Sequence, residues 1–384
     1  MKIVLDTIPL IYSNGADRRT TYHLFRELFL NDSYNSYALF CIDRRRREDR
    51  YASLIEQKRI PVYTVPLPVR TLRWAWSHLA WPKLERISGP ADLYHVAGII
   101  AAPTHRAKVL VTIRGIVAEV IPEYLPADKV RRLKKVLREA MRHADYYLAV
   151  SEKTKQDMVS CLGINPDSIF VCPHGVDPQF KPISDRKAVF GFLKKKFRIV
   201  NPYVLYVGAI GYHKNVQGIL QAYRLLREKG CRSHDLVLAG FPDSAWDYAA
   251  QFIGRFGMEP HIHLTGPIAQ ETDELTCLYN GADCFVFPSF YEGWCSPPVE
   301  AMACGTPVIA SNCSSLPETA GDAACLVDPH DPEEISNRIE DILTQRDFRD
   351  KLIEKGFRRA ADLNWRASAL NLMEIYRTIE GRAE

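Results

Sequence analysis

Two glutamates, Glu292 and Glu300, bracket the short turn Glu292-Gly293-Trp294-Cys295-Ser296-Pro297-Pro298 in an E-x7-E arrangement. Before the turn, Cys284-Phe285-Val286-Phe287 has the composition of a buried strand, and Pro288 ends it because proline has no amide to give a ladder. After the turn, Pro298 suits the first turn of a helix, where its fixed φ is preorganised, and Gly305 suits the cap that ends that helix. A strand, a glycine turn and a helix N-terminus together offer free amides and the positive end of a helix dipole to an anion. Carboxylates beside such a site repel phosphate and accept hydroxyl hydrogen bonds instead. The ligand that fits is a phosphate centre with hydroxylated groups on both sides, a nucleotide-sugar. The plainer alternative is one surface glutamate and one helix-facing glutamate.

The run EGWCSPPVEAMACGTPVIASNCSSLPETAGDAACLVDP resembles the donor-binding signature of family four of the glycosyltransferases, retaining enzymes with the GT-B fold. It is most similar to the bacterial polysaccharide branch of that family, which includes many mannosyltransferases. The resemblance implies that Glu292 contacts the transferred sugar, Glu300 the ribose, and the amides of Gly293, Trp294, Cys295 and Ser296 the diphosphate. Trp294-Cys295-Ser296 replaces the aromatic-Gly-Leu common in the family. Upstream, Gly208 and the loop Ala209 to Asn215 resemble the family's G-x-x-x-x-R-K-N loop. Lys214 then matches its phosphate-binding lysine, and His213 stands where arginine is usual, so that one of two positive charges depends on pH. A solvated surface lysine is the plainer reading of Lys214. The backbone near Ile268 corresponds to the nucleobase site, and Gly15 to what is left of a glycine-rich loop over the donor phosphates.

On the acceptor side, His95 and Arg114 fall at strand ends where the family often carries His and His-Asp. His95 is an acceptor-side and catalytic candidate, or else a satisfied core histidine. Arg114 would hold an anionic acceptor or the donor phosphates, or else form a structural salt bridge. With Glu292 and Lys214, His95 completes the expected catalytic set. His174, in VCPHGVDPQF, reads as a loop residue.

These residues need two nucleotide-type scaffolds, and 384 residues suit two domains. Short β-branched or aromatic runs at Lys2–Leu5, Tyr37–Ile42, Val62–Val65, Leu93–Val96, Val109–Ile113, Tyr146–Val150 and Ile169–Cys172 alternate with helical stretches. That pattern predicts a parallel sheet covered on both faces. A second set begins at Tyr203–Val207. The expected architecture is α/β of GT-B type, two Rossmann-like doubly wound domains facing a central cleft. The expected division is an acceptor domain over residues 1–180, a linker over 181–202 and a donor domain over 203–365, with a last helix over 366–384 crossing back to the first domain.

Hydrophobic content of 47%, charged content of 25% and a net charge of +4 are those of an ordinary globular protein and give no footprint for nucleic acid. Ten scattered cysteines without a C-x-x-C suggest free thiols in a reducing cytoplasm. The apolar run from Ile3 to Ile11 is broken by Asp6 and too short for a membrane span. With no Asp-x-Asp for a metal-bound diphosphate, the expectation is a metal-independent, cofactor-free transferase with GDP-mannose as first-choice donor and a UDP-sugar second. Its acceptor would be a saccharide or lipid-linked saccharide. The competing expectations are a nucleotide-sugar epimerase on the same fold and a non-catalytic sugar- or partner-binding protein. Two basic stretches, Arg70 to Arg86 with Trp74, Trp76 and Trp81, and Lys129 to Arg142, suit peripheral contact with an anionic membrane or simply a solvated helix face.

Overall fold

Valine, isoleucine, leucine and aromatic runs bounded by polar turns form the strands of two parallel sheets in the computed structural model. It describes residues 1–13, 15–42, 51–55, 60–98, 100–268 and 273–382. The chain divides into two units. One comprises Met1–Val120, Ala127–Gly175 and Asn364–Glu384, the other Ile121–Pro126 and Val176–Leu363.

Among the described residues, the first unit has seven strands: β1 (Lys2–Asp6), β2 (Ser36–Ile42), β3 (Val62–Val65), β4 (Leu93–Val96), β5 (Lys108–Ile113), β6 (Tyr146–Ala149) and β7 (Ile169–Val171). Their order is β3-β2-β1-β4-β5-β6-β7, and every pairing is parallel. Ile3, Val4, Leu5, Leu39, Phe40 and Leu110 are fully buried, as a sheet covered on both faces requires. The sheet changes direction of growth between β1 and β4, the place where open α/β sheets form their ligand crevice. The last helix, Trp365–Gly381, is capped by Asn364, which accepts from the Ala367 amide at 2.9 Å. Its Leu372, Met373 and Tyr376 join Phe25, Leu28 and Phe29 of the Ala16–Asn31 helix in one apolar cluster.

The second unit has β8 (Tyr203–Val207), β9 (Asp235–Ala239), β10 (Ile262–Gly266), β11 (Cys284–Phe287), β12 (Val308–Ser311) and β13 (Ala324–Val327), in the parallel order β10-β9-β8-β11-β12-β13. Here the switch lies between β8 and β11. Asp331 caps the Pro332–Thr344 helix by accepting from the Glu333 and Glu334 amides, and Ile335, Ile339 and Ile342 are its buried stripe. The expected linker differs from what is found. Within it, Arg186–Phe197 is a helix capped by Asp185, and Val189 and Leu193 are buried in the core of the second unit. The sparse apolar pattern hid it, because one short stripe suffices to dock a helix whose other faces are lysines. Also unanticipated is the membership of Ile121–Pro126 in the second unit, where the Tyr124 ring lies 4.4 Å from that of Phe290.

Candidate functional site

Buried β11 delivers the chain to Pro288 and a loop that ends at Cys295, the N-cap of the Ser296–Ala303 helix. Pro297 and Pro298 occupy its first turn, and Gly305 leaves it at φ +81°. Side chains from the end of β12 and just after it hold the loop. Ser314 accepts from the Glu292 amide at 2.9 Å and donates to the Glu292 carbonyl at 2.7 Å. Ser311 donates to the Ser289 carbonyl at 2.6 Å, and the Cys313 thiol to the Phe290 carbonyl at 3.4 Å. From the other side, the Phe290 amide donates to the His213 carbonyl at 3.0 Å. The Phe290 ring stacks on His330 at 4.7 Å. Glu292 is therefore presented on a braced backbone.

The loop after β8 is shaped by a close backbone approach. A Cβ on Gly240 would stand 1.8 Å from the Gly208 carbonyl oxygen, so only glycine fits beside Gly208 there. Tyr212–Lys214 is a single 3-10 turn, and Asn215, at φ +57°, caps the Val216–Glu228 helix by accepting from the Gly218 amide at 3.1 Å. This turn puts Lys214 at the sheet's switch point, opposite the β11 loop. Lys214 Nζ donates to Glu292 Oε1 at 2.5 Å and lies 5.7 Å from the centre of the Phe287 ring. The two side chains are 19% and 12% exposed, so a ligand can reach the pair. The His213 ring and the Asp243 carboxylate both lie within about 3.2 Å of where a Cβ on Gly211 would stand, beside the same turn.

Glu300 is buried on the helix, where the Tyr279 hydroxyl donates to its Oε2 at 2.9 Å. Cys295 is buried between the acidic and basic groups. Burial, then the charge of Glu292, hold its thiol well above the ordinary range, and Lys214 and Glu300 act on it too. Glu292, Lys214 and Glu300 are thus all near enough to act on one thiol, with Gly293, Trp294 and Ser296 in the same turn. Ile268 follows β10 and packs against the core of the same unit.

In the first unit the candidates separate. His95 has a partner at each ring nitrogen. It is fully buried, its Nδ1 sits 2.6 Å from the Tyr376 hydroxyl, and its Nε2 sits 2.8 Å from the Thr112 hydroxyl. Burial pushes its pKa down to about 3, with Arg114 adding to the effect, so it is a neutral core histidine and the acceptor-side and catalytic expectation is corrected. His174 is likewise buried, against Trp365 at 5.6 Å, and is held down to about 3. Arg114 forms the salt bridge, at 2.6 Å to Asp17, and donates to Thr21 at 2.8 Å. It also lines a cavity of about 450 Å³ with Ile8, Tyr12, Gly98, Ile116 and Leu137. Gly15 caps the Ala16–Asn31 helix at φ +99°, a conformation that favours glycine, while Asn14 lies outside the described residues.

The two basic stretches meet. Helices Val69–His78 and Ala127–Met141 line one groove with Arg70, Arg73, Trp74, Arg132, Lys135 and Arg142. Trp74 and Trp81 are each 56% exposed, whereas Trp76 is a core residue whose indole donates to the Pro82 carbonyl at 3.0 Å. Lys134 faces the other way and pairs with Glu119 at 2.7 Å.

Sequence reasoning missed Ser311, Cys313, Ser314 and Tyr279. Their signals, a serine-rich run after β12 and a tyrosine in a buried helix, name no partner until the sheet sets β11 beside β12.

Comparison with known proteins gives the same two halves. The family profile described as Glycosyltransferase Family 4 matches residues 34–180, and that described as Glycosyl transferases group 1 matches residues 192–359. O-antigen chain mannosyltransferase B of Escherichia coli is 31% identical over 277 residues, covering 72% of each chain. Serotype-specific mannosyltransferase WbdA of Escherichia coli is 28% identical over 228 residues, covering 59% of this chain and 28% of that longer relative. Among solved structures, sucrose-phosphate synthase from Thermosynechococcus elongatus superposes with a TM-score of 0.74 at 19% identity, covering 100% of both chains. Its likeness places the two parallel sheets in the two-domain α/β GT-B fold.

Proposed function

Because the chain belongs to glycosyltransferase family 4, we propose that it transfers mannose from a nucleotide diphosphate sugar to a hydroxyl of a growing cell-surface polysaccharide. The observation that carries this reading is the Lys214–Glu292 pair at the switch point of the second sheet, beside the N-terminus of the Ser296–Ala303 helix. A donor diphosphate competes with Glu292 for Lys214. Once the ammonium turns to phosphate, the carboxylate is free to accept hydroxyl hydrogen bonds from the sugar. Lys214 and the helix amides then stabilise the negative charge that grows on the leaving diphosphate. Glu300, fixed by Tyr279, receives the ribose; the amides of Gly293 to Ser296 approach the phosphates; the backbone at Ile268 receives the base.

The finer reading is a metal-independent reaction that retains configuration at the anomeric carbon, with GDP-mannose as donor and a UDP-sugar as second choice. The leaving phosphate oxygen would take the acceptor proton on the same face. The acceptor, a saccharide or lipid-linked saccharide, would bind the cavity of the first unit beside Arg114. The groove of Arg70, Arg132, Lys135 and Arg142, with exposed Trp74, suits reversible contact with an anionic membrane at its cytoplasmic face. Among the described residues no helix is long and apolar enough to cross a membrane.

The test is release of nucleoside diphosphate from GDP-mannose, measured with and without saccharide acceptor and with a chelator present. Acceptor-dependent release, insensitive to the chelator and giving an α-mannoside by NMR, is expected. Release without acceptor, or no binding of any nucleotide-sugar, would overturn the reading.

A further inference from the structure

The switch point of the first sheet holds a charge that the function above does not use. Asp6 is the last residue of β1 and is fully buried. Its Oδ1 accepts from the Ile8 amide at 2.8 Å, and its Oδ2 from the Gly98 amide at 3.0 Å. Ile8 opens the short helix Ile8–Tyr12 after β1 and Gly98 follows β4, the two strands between which the sheet reverses its growth. Both residues line the cavity that Arg114 opens on. One carboxylate therefore ties together two walls that have no strand pairing beyond Leu5 and His95 to hold them.

We propose that Asp6 is a positioning residue for the acceptor, setting the spacing of the segments that follow β1 and β4 through its two amide hydrogen bonds. The proposal rests on the reading of the adjoining cavity as the acceptor site. Gly98 supplies independent support. A Cβ there would stand 2.7 Å from Asp6 Oδ2 and 3.4 Å from Pro9 Cδ, so the carboxylate and the loop are fitted to each other without room for a methyl group. Pinning by a carboxylate also makes the spacing respond to pH, since ionised acceptors form the stronger hydrogen bonds. Burial raises the Asp6 pKa to about 7, against the pull of the Ile8 and Gly98 amides and of Arg114. The charged and titratable groups acting on it are Arg114 at the end of β5 and the Tyr94 phenol on β4. The acceptor KM should accordingly fall as pH rises through about 7.

The experiment uses the full chain with GDP-mannose and a saccharide acceptor. Asp6→Asn keeps the shape of the side chain but turns one acceptor into a donor that faces an amide. It should raise acceptor KM by about tenfold, the loss of one hydrogen bond to a charged group, leave kcat and donor Kd within about twofold, and abolish the pH dependence of acceptor KM. Gly98→Ala, which disturbs the same bond from the loop side, should raise acceptor KM likewise and serves if Asp6→Asn does not fold. An acceptor KM unchanged in both variants, or a donor Kd that weakens in parallel, refutes a positioning role. Val117→Trp, which fills the cavity, separates the two readings. If it raises acceptor KM while the Asp6 and Gly98 variants do not, only Asp6 is wrongly assigned. If it leaves acceptor KM unchanged, the cavity is not the acceptor site and the proposal falls with it.

Discussion

Glu292→Gln tests the core of the assignment, because it removes a charge while keeping nearly every contact. The carboxamide is isosteric, its Oε1 can still accept from Lys214 at the present 2.5 Å, and the main-chain clasp by Ser314 is untouched. Breaking a fully buried ion pair costs about 3–5 kcal/mol because a charge is left uncompensated. With Lys214 19% exposed and a hydrogen bond retained, that cost shrinks to about 1–2 kcal/mol, which urea denaturation measures directly. Turnover should fall much further, by about a hundredfold to a thousandfold, as when one transition-state contact is deleted elsewhere. Affinity for the nucleoside diphosphate, read by calorimetry, should hold or tighten by a few fold, because the phosphate no longer competes with a carboxylate for Lys214. A variant that keeps wild-type turnover would place Glu292 away from the reacting sugar. One that loses nucleotide affinity and turnover in proportion would make Glu292 a scaffold for Lys214 rather than a partner of the sugar.

Lys214→Ala should do the opposite in binding, weakening the nucleoside diphosphate by about tenfold or more and leaving the fold intact; unchanged affinity would remove Lys214 from the phosphate site. Stability should fall on mild acidification. His95 and His174 have folded pKa values pushed from 6.5 to about 3, so the unfolded chain binds more protons below pH 6.5 and each histidine subtracts stability there. Asp6, raised from 3.8 to about 7, works in the other direction over the same window. The two rings outweigh Asp6, and His143 and His234, also lowered by burial, add to the loss below pH 6.5; stability that rises on acidification in urea titrations would contradict the burial of these rings. Binding to anionic but not neutral vesicles is expected at low salt and should fade at high salt; charge reversal of Arg132, Lys135 and Arg142 should abolish it with donor affinity unchanged. Wild-type protein that ignores anionic vesicles at low salt would make the groove a solvated face.

How far the sequence led depended on the range of each interaction. Strands β3, β4 and β8 match the β-branched and aromatic runs residue for residue, because that signal is local. Glu292 and Lys214 stand out in the sequence because each sits in a loop at a strand's end, and the structure brings these two side chains together. His95 misled for the matching reason. A histidine at a strand end reads as a ligand until Tyr376, from the far end of the chain, and Thr112, from the neighbouring strand, are seen to occupy both its nitrogens. The sequence does not separate Trp76 and Lys134 from their neighbours, because a helix of mixed composition does not declare which side is covered.

Asp6 shows the limit most clearly. In the sequence it only interrupts an apolar run, and its one legible consequence was to argue against a membrane span. Its partners are two backbone amides, which carry no side-chain signature, and one of them lies 92 residues away. A carboxylate is costly to bury, and the two amides that Asp6 binds offset only part of that cost, since its pKa stays raised. The second unit solves the same positional problem with hydroxyls, Ser314 and Ser311 clasping the β11 loop from the end of β12. The two solutions differ in one property. The serine clasp is indifferent to pH, whereas the Asp6 tie loosens when the carboxyl gains its proton. Acceptor handling in this enzyme should therefore vary across neutral pH while the braced Glu292 loop holds its geometry.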